Sequence, residues 1–396
     1  MTLELSKVAS QVEDMGKGLA EAASRQQKAL PALRARRRAL AGDAERLRAL
    51  AESAEGKQAR CAVPTDEPLY ETYPAPEPPA RATILAADGS QIAPDPHGLA
   101  LYYAINVGSL IYRHGSGLAP EAASDPTVEA ATGPDGSVLA VELLSARRDV
   151  AEIRKLADLA EGEEPGDPLV ALLDSTIGLR AWSPAIPQAE QKMLERSYAA
   201  QLDRLRLAGA ALAGFIGRSR RAEVVSLLDL GRQEEPAAPV AEPSVFQGVT
   251  DQVLWGDLAP GERSALFVRG TAANRDFQAR GHRVYFFYLN TEPPDWPQVP
   301  GVDGEPARIE VPEWVASRPE KLAWVHALVY DQCCLNNGYP YALSRADELA
   351  IILNEEREAI ETMILQAMSR QGMLPPRVSF KAAQKRIARA PSRRRR

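Results

Sequence analysis

The chain has few of the groups that disulfides and soft metals need. Its three cysteines, Cys61, Cys333 and Cys334, have no metal-ligand spacing and no even framework, which suits a reducing compartment. Four scattered histidines, His97, His114, His282 and His326, form no His-x-x-x-His pair, so a zinc site lacks its ligand set. Long apolar runs are missing as well. The first 30 residues lack the apolar core of a secretory leader, and the weakly apolar run Leu207–Gly217, bracketed by Arg206 and Arg218, is too short to cross a bilayer. No Walker-type loop exists either, because Gly16-Lys17 is followed by glycine instead of Ser or Thr, so ATP chemistry is unsupported. These absences lead to the expectation of a soluble, cytoplasmic protein.

Composition is ordinary: 45% hydrophobic and 25% charged over 396 residues, enough for a full core and two or three domains. Charge is distributed unevenly. The net charge is -6, but Gln371 onward holds nine Lys/Arg and no acid, which leaves -15 on residues 1–370. An acidic body with a basic tail suits a protein that meets a polyanion at one place.

The N-terminal residues read as helix. Val8, Val12, Met15, Leu19 and Ala22 step by fours and threes, and Leu33, Leu40 and Leu47 by sevens, a coiled-coil or hairpin pattern with Pro31 as its break. The arginines within 34–38 read either as a phosphate contact or as a solvated helix face. Residues 1–62 are therefore expected as a helical extension and 63–82 as a Pro-rich extended linker. An α/β domain is expected over 83–370, a mixed sheet flanked by helices, followed by a disordered basic tail over 371–396. Within the domain, Leu101–Tyr112 and Val284–Leu289 read as strands, and a long helix is expected from Ser344 to about Met368.

The chemistry-bearing feature is a repeated strand ending. Thr83-Ile84-Leu85-Ala86-Ala87 runs into Asp88-Gly89-Ser90, and Leu169-Val170-Ala171-Leu172-Leu173 runs into Asp174-Ser175-Thr176. Alone, an Asp-Gly pair reads as a turn between strands. Two carboxylates at two strand ends are what a hard divalent cation needs. Glu152 and Asp347, on predicted helices, complete a set of four. Glu152 also reads as the partner of Arg148 in a surface ion pair, and Asp347 as a cap three residues after Ser344. Carboxylates gathered this way repel one another unless Mg²⁺ or Mn²⁺ joins them, and two such ions about 4 Å apart support phosphodiester cleavage.

This ordered set resembles the NurA nucleases. The resemblance is carried by Ala87-Asp88-Gly89-Ser90-Gln91, Asn106-Val107-Gly108, Arg148-x-x-x-Glu152 and Leu172-Leu173-Asp174-Ser175. It continues through Val284–Leu289 with Val311-Pro312 and through Gly338-Tyr339-Pro340-Tyr341-Ala342-Leu343 into Ala346-Asp347. It implies a ribonuclease-H-like core and a homodimer enclosing a DNA-sized channel. The implied activity is Mn²⁺- or Mg²⁺-dependent cleavage of single- and double-stranded DNA, including 5′-to-3′ exonuclease action. The implied partner is a HerA-type hexameric translocase working in double-strand break resection at the nucleoid.

By that resemblance Asp88, Glu152 and Asp174 are metal ligands and Tyr339 an active-site tyrosine. Asp347 falls where many members have histidine. A carboxylate holds a hard metal as well as imidazole does, but it is a general acid near neutral pH only if its pKa is raised. Arg148, Arg218, Arg220 and Arg221 are expected to grip DNA phosphates, with a solvated helix start as the plain alternative for the last three. The tail would add salt-sensitive DNA affinity. Two competing readings are an adaptor that tethers DNA through an altered site, and a coiled-coil interaction protein.

Overall fold

Strand pairing starts from the run singled out above. In the computed structural model, which describes residues 4–54, 61–98, 100–132, 138–179, 185–232, 246, 248–295, 297 and 304–372, that run does not turn at Asp88. The strand continues through Asp88-Gly89 to Ile92.

In chain order, helices α1 (Leu5–Ala39) and α2 (Ala44–Ala54) precede strands β1 (Cys61–Pro64), β2 (Thr72–Tyr73), β3 (Ala82–Ile92), β4 (Tyr102–His114) and β5 (Glu121–Ala130). Then come α3 (Val141–Gly162), β6 (Leu169–Leu173), α4 (Gln188–Leu207), β7 (Ala211–Ile216), α5 (Glu223–Leu230) and α6 (Asp251–Leu254). Strands β8 (Arg263–Ser264) and β9 (Phe267–Gly270), helix α7 (Ala272–Gln278), and strands β10 (Val284–Leu289) and β11 (Ala307–Pro312) follow. Helices α8 (Glu313–Ala316), α9 (Pro319–Leu335), α10 (Tyr341–Ala350) and α11 (Asn354–Arg370) close the chain.

These elements form two units. The first draws on Met1–Pro79, Ser175–Ile177 and Ala211–Tyr341, the second on Ala80–Asp174, Gly178–Ala210 and Ala342–Arg396.

In the first unit the strands run β1-β9-β10-β11-β7, antiparallel throughout, with β2 joined through β8 to β10. The start of the segment predicted as a linker is therefore sheet: β1 is buried along its whole length and pairs with β9. Leu33, Leu40 and Leu47, spaced by sevens, fall on α1, its C-terminal end and α2, and both helices pack against α5. The three leucines enter the apolar core of this unit with Trp255, Phe267 and Phe286. Helix α1 also passes straight through Pro31, which a helix interior tolerates at a cost of about 3 kcal/mol. The buried side chains on either side, Leu30 and Leu33, offset that cost, and the break comes instead at Leu40–Asp43.

The arginine run has a third role. Arg34 and Arg37 both reach Asp257, at 3.4 and 3.2 Å, and Arg37 lies over the Trp255 ring at 4.3 Å. They clamp α1 to the unit. By contrast Leu5, Val12, Met15 and Leu19 are exposed.

A buried ionic network ties this unit together. Arg308, fully buried, donates from Nε to Glu310 Oε1 at 2.9 Å and from Nη2 to Glu223 Oε2 at 3.1 Å. Glu310 Oε2 accepts from Thr176 Oγ1 and from the Ile177 amide at 2.6 and 3.0 Å. Burial alone would raise the Glu310 carboxyl, yet Arg269 and Arg308 hold it down at about 2.

In the second unit β3, β4 and β5 form an antiparallel meander, and β6 lies parallel to β3 on its other side. This is the mixed sheet flanked by helices that was expected, with α3 against β3 and α4 against α3. Strand β5 gave no pattern in the sequence because all ten of its residues are exposed and Pro126 interrupts it. The predicted last long helix is two helices. Its second half starts afresh at Asn354, where Glu356 Oε2 accepts from the Leu353 amide at 2.8 Å. Among the described residues no helix is long and apolar enough to cross a membrane. The basic tail from Lys381 to Arg396 and most of the Pro/Glu-rich segment 231–247 lie outside the described residues.

Candidate active site

Parallel pairing of β3 with β6 runs from Thr83↔Leu169 to Ala87↔Leu173. Asp88 and Asp174 are therefore the next residues on two neighbouring strands at one level, where side chains point the same way. The buried runs behind them, 82–87 and 169–173, hold both in place. Asp88 is half-buried and Asp174 exposed.

Asp347 arrives from α10. It is the seventh residue of that helix and exposed, so it caps no helix start, as a helix beginning at Ser344 would have required. Its side chain hydrogen-bonds Asp88.

The electrostatics record this crowding. Burial pushes the Asp88 carboxyl up, the Gly89 backbone N–H pulls it down, and the charges of Asp174 and Asp347 push it up again, to about 6. Three carboxylates from two strands and one helix thus act on one another.

Glu152 approaches from the other side. Gly89 follows Asp88 and faces the opposite side of β3, and a Cβ placed there would lie 2.6 Å from Glu152 Oε1 and 2.8 Å from Arg148 Cγ. The glycine's missing side chain makes room for α3, a use that the Asp-Gly-Ser pattern does not signal. Glu152 is only 5% exposed, so it is no surface ion pair, although Arg148 Nε stands 3.1 Å from its Oε1. Arg148 also lies 3.7 Å from Asp149.

The remaining candidates belong to the first unit. Tyr339 packs edge-on against Phe215 with ring centroids 5.3 Å apart, just after a turn in which Asn337 and Gly338 take positive φ angles of 53° and 93°. Arg221 pairs with Glu223 at 2.9 Å, Arg220 is exposed, and Arg218 reaches only to 3.9 Å from Glu305.

Among the described residues, no three His, Cys, Asp or Glu side chains stand as a finished metal cage. The donor chemistry of Asp88, Asp174 and Asp347 still fits a hard divalent cation. The donors are all oxygen and all acidic, and Asp174 and Asp347 crowd the half-buried Asp88.

Residues 82–352, about two thirds of the chain, match the family described as the NurA domain. The chain belongs to the NurA domain family. Among solved structures, this NurA-domain chain is similar to the NurA nuclease of Sulfolobus solfataricus, at 12% identity over 73% of this chain and 85% of that one, with a TM-score of 0.48. It is similar to a NurA structure with manganese at 12% identity, over 74% and 91% of the two chains, with a TM-score of 0.39. It is also similar to the catalytic domain of human endonuclease V at 15% identity, over 71% and 83%, with a TM-score of 0.34. No curated protein matches it.

Proposed function

We propose that this chain is a divalent-metal-dependent deoxyribonuclease that hydrolyses phosphodiester bonds. The observation that carries the proposal is the gathering of Asp88, Asp174 and Asp347: burial first, and then the two neighbouring carboxylates, push the Asp88 carboxyl up to about 6. Such crowding costs stability, and it is common where a site is arranged for function.

Asp88, Asp174 and Asp347 would hold Mn²⁺ or Mg²⁺, two ions in the fuller form of the reading, with Glu152 as a further oxygen donor beside Gly89. When bound, the ions supply an acidified water and positive charge against the phosphate. The chain's own work is positioning. The rigid strands β3 and β6 fix two carboxylates, and α10 delivers the third. Arg148 holds Glu152 in place. Asp347 in place of histidine makes the donor set purely oxygen, which favours a hard ion. Arg218, Arg220 and Arg221 are assigned to the DNA backbone.

The finer reading follows from family membership. It comprises 5′-to-3′ exonuclease and single-strand endonuclease action, a homodimer, and partnership with a HerA-type hexameric translocase in double-strand break resection. The notion of an adaptor that tethers DNA without cutting it makes the opposite prediction in one assay. Linear duplex and single-stranded DNA, labelled at either end, are incubated with the full chain in Mn²⁺, Mg²⁺ or EDTA. Degradation in metal but not EDTA is expected, with label order giving the polarity. Intact DNA in every lane, with the translocase added as well, would leave the adaptor.

A further inference from the structure

The sheet face that carries Asp88 carries a second set of residues with no role yet. Side chains alternate along a strand, so Asp88 and Ser90 share one face of β3. The antiparallel register sets Gly108 opposite Asp88 and Asn106 opposite Ser90. Helix α10 meets these residues with its backbone. A Cβ on Gly108 would lie 2.1 Å from the Ala346 carbonyl oxygen and 2.5 Å from the Ala350 nitrogen, so no residue larger than glycine fits without moving the helix.

The last carbonyls of a helix have no partner within it. Here the sheet supplies them. Asn106 is 6% exposed, and its Nδ2 donates to the carbonyl oxygens of Leu349 and Ala350, each at 3.0 Å. Ser90 Oγ donates to the same Ala350 oxygen. Ser124 Oγ donates to Asn106 Oδ1 at 2.9 Å, which fixes the amide so that its NH₂ group faces the helix. Asp347 lies three residues before Ala350, and its own carbonyl oxygen accepts from the Ile351 amide at 3.2 Å.

Apolar packing alone lets a helix settle over a range of positions, whereas these bonds are directional. A slip of α10 by one residue, about 1.5 Å, would break the bonds to Leu349 and Ala350 together. We infer that Asn106, Ser90 and Gly108 form a cradle that sets the register of α10 on the sheet and so places Asp347 against Asp88. They are positioning residues, and the inference rests on the metal-nuclease reading above.

The test uses the full chain and three variants: Asn106→Ala, Asp347→Ala and the double variant. Mn²⁺ uptake is measured by electron paramagnetic resonance of the free ion, and kcat and KM are measured on linear DNA. Asn106→Ala should weaken Mn²⁺ binding or lower kcat 10- to 100-fold, roughly the effect of losing a residue that orients a metal ligand, with KM for DNA within about twofold. If Asn106 acts through Asp347, adding Asn106→Ala to Asp347→Ala should change Mn²⁺ affinity less than about twofold. Gly108→Ala should reproduce the loss without touching a hydrogen-bonding group. Parent-like Mn²⁺ uptake and kcat in Asn106→Ala would overturn the cradle, and so would an equally large further loss in the Asp347→Ala background. Both results leave the parent nuclease active. A parent that binds no Mn²⁺ and cuts no DNA would overturn the nuclease reading, and the cradle with it.

Discussion

Replacing Asp88 with asparagine should stabilise the metal-free chain while abolishing its activity. The Asp88 carboxyl moves from its ordinary 3.8 to about 6 in the folded chain, with burial as the largest cause. At pH 5 the folded chain therefore keeps a proton there that the unfolded chain has lost. The stabilisation is fully present below about pH 4 and is lost as the pH rises through about 6. The shift of about two pH units corresponds to about 3 kcal/mol at most, and about 1–2 kcal/mol once the half-buried position is allowed for. In EDTA at pH 7.5, Asp88→Asn should melt about 1–3 °C above the parent, with the gap closing towards pH 4.5. Mn²⁺ at about a hundred times its Kd adds about 2.7 kcal/mol to the parent and should add little to the variant, so the order reverses. Scanning calorimetry across that pH range reads all of this. A gap that does not change with pH, or a variant less stable than the parent at pH 7.5 in EDTA, would refute the reasoning.

Arg308→Ala should cost about 3–5 kcal/mol in denaturant melts, because it leaves Glu310 and Glu223 buried without their shared cation. A loss below 1 kcal/mol would show that water replaces the guanidinium. Truncation after Gly372 removes all nine cations of the tail. DNA binding should then weaken uniformly across sequences, with a flatter dependence of log K on log salt in fluorescence anisotropy. An unchanged salt slope would take the tail out of DNA binding.

What was legible in the sequence was local. Thr83–Ala87 and Leu169–Leu173 are runs buried on both faces, so their strand character and the carboxylates after them could be read from composition alone. Asp347 could be placed on a helix, although that helix starts at Tyr341 and not at Ser344. What escaped depends on partners far along the chain. Cys61–Pro64 looks like linker until β9 pairs with it, and β5 is exposed along its whole length, so no buried face marks it in the sequence. Pro31 reads as a break because the packing of Leu30 and Leu33 is not visible nearby. The hydrogen bond from Asn106 to Leu349 spans 243 residues, and the space that Gly89 leaves is filled by a side chain from another helix. Motif order pointed to these positions without giving a physical reason for them.

The central claim is that Asp88, Asp174 and Asp347 form one metal-dependent cleavage site. Asp174→Asn tests it most directly, since the side chain is exposed, keeps its shape and loses only charge. End-labelled linear DNA is incubated with parent and variant in Mn²⁺, while Mn²⁺ uptake and melting are followed in the same samples. Rapid cleavage by the parent is predicted, with a loss of at least about 100-fold and weakened Mn²⁺ uptake in a variant that still folds. Parent-like cleavage by a folded Asp174→Asn chain would contradict the account.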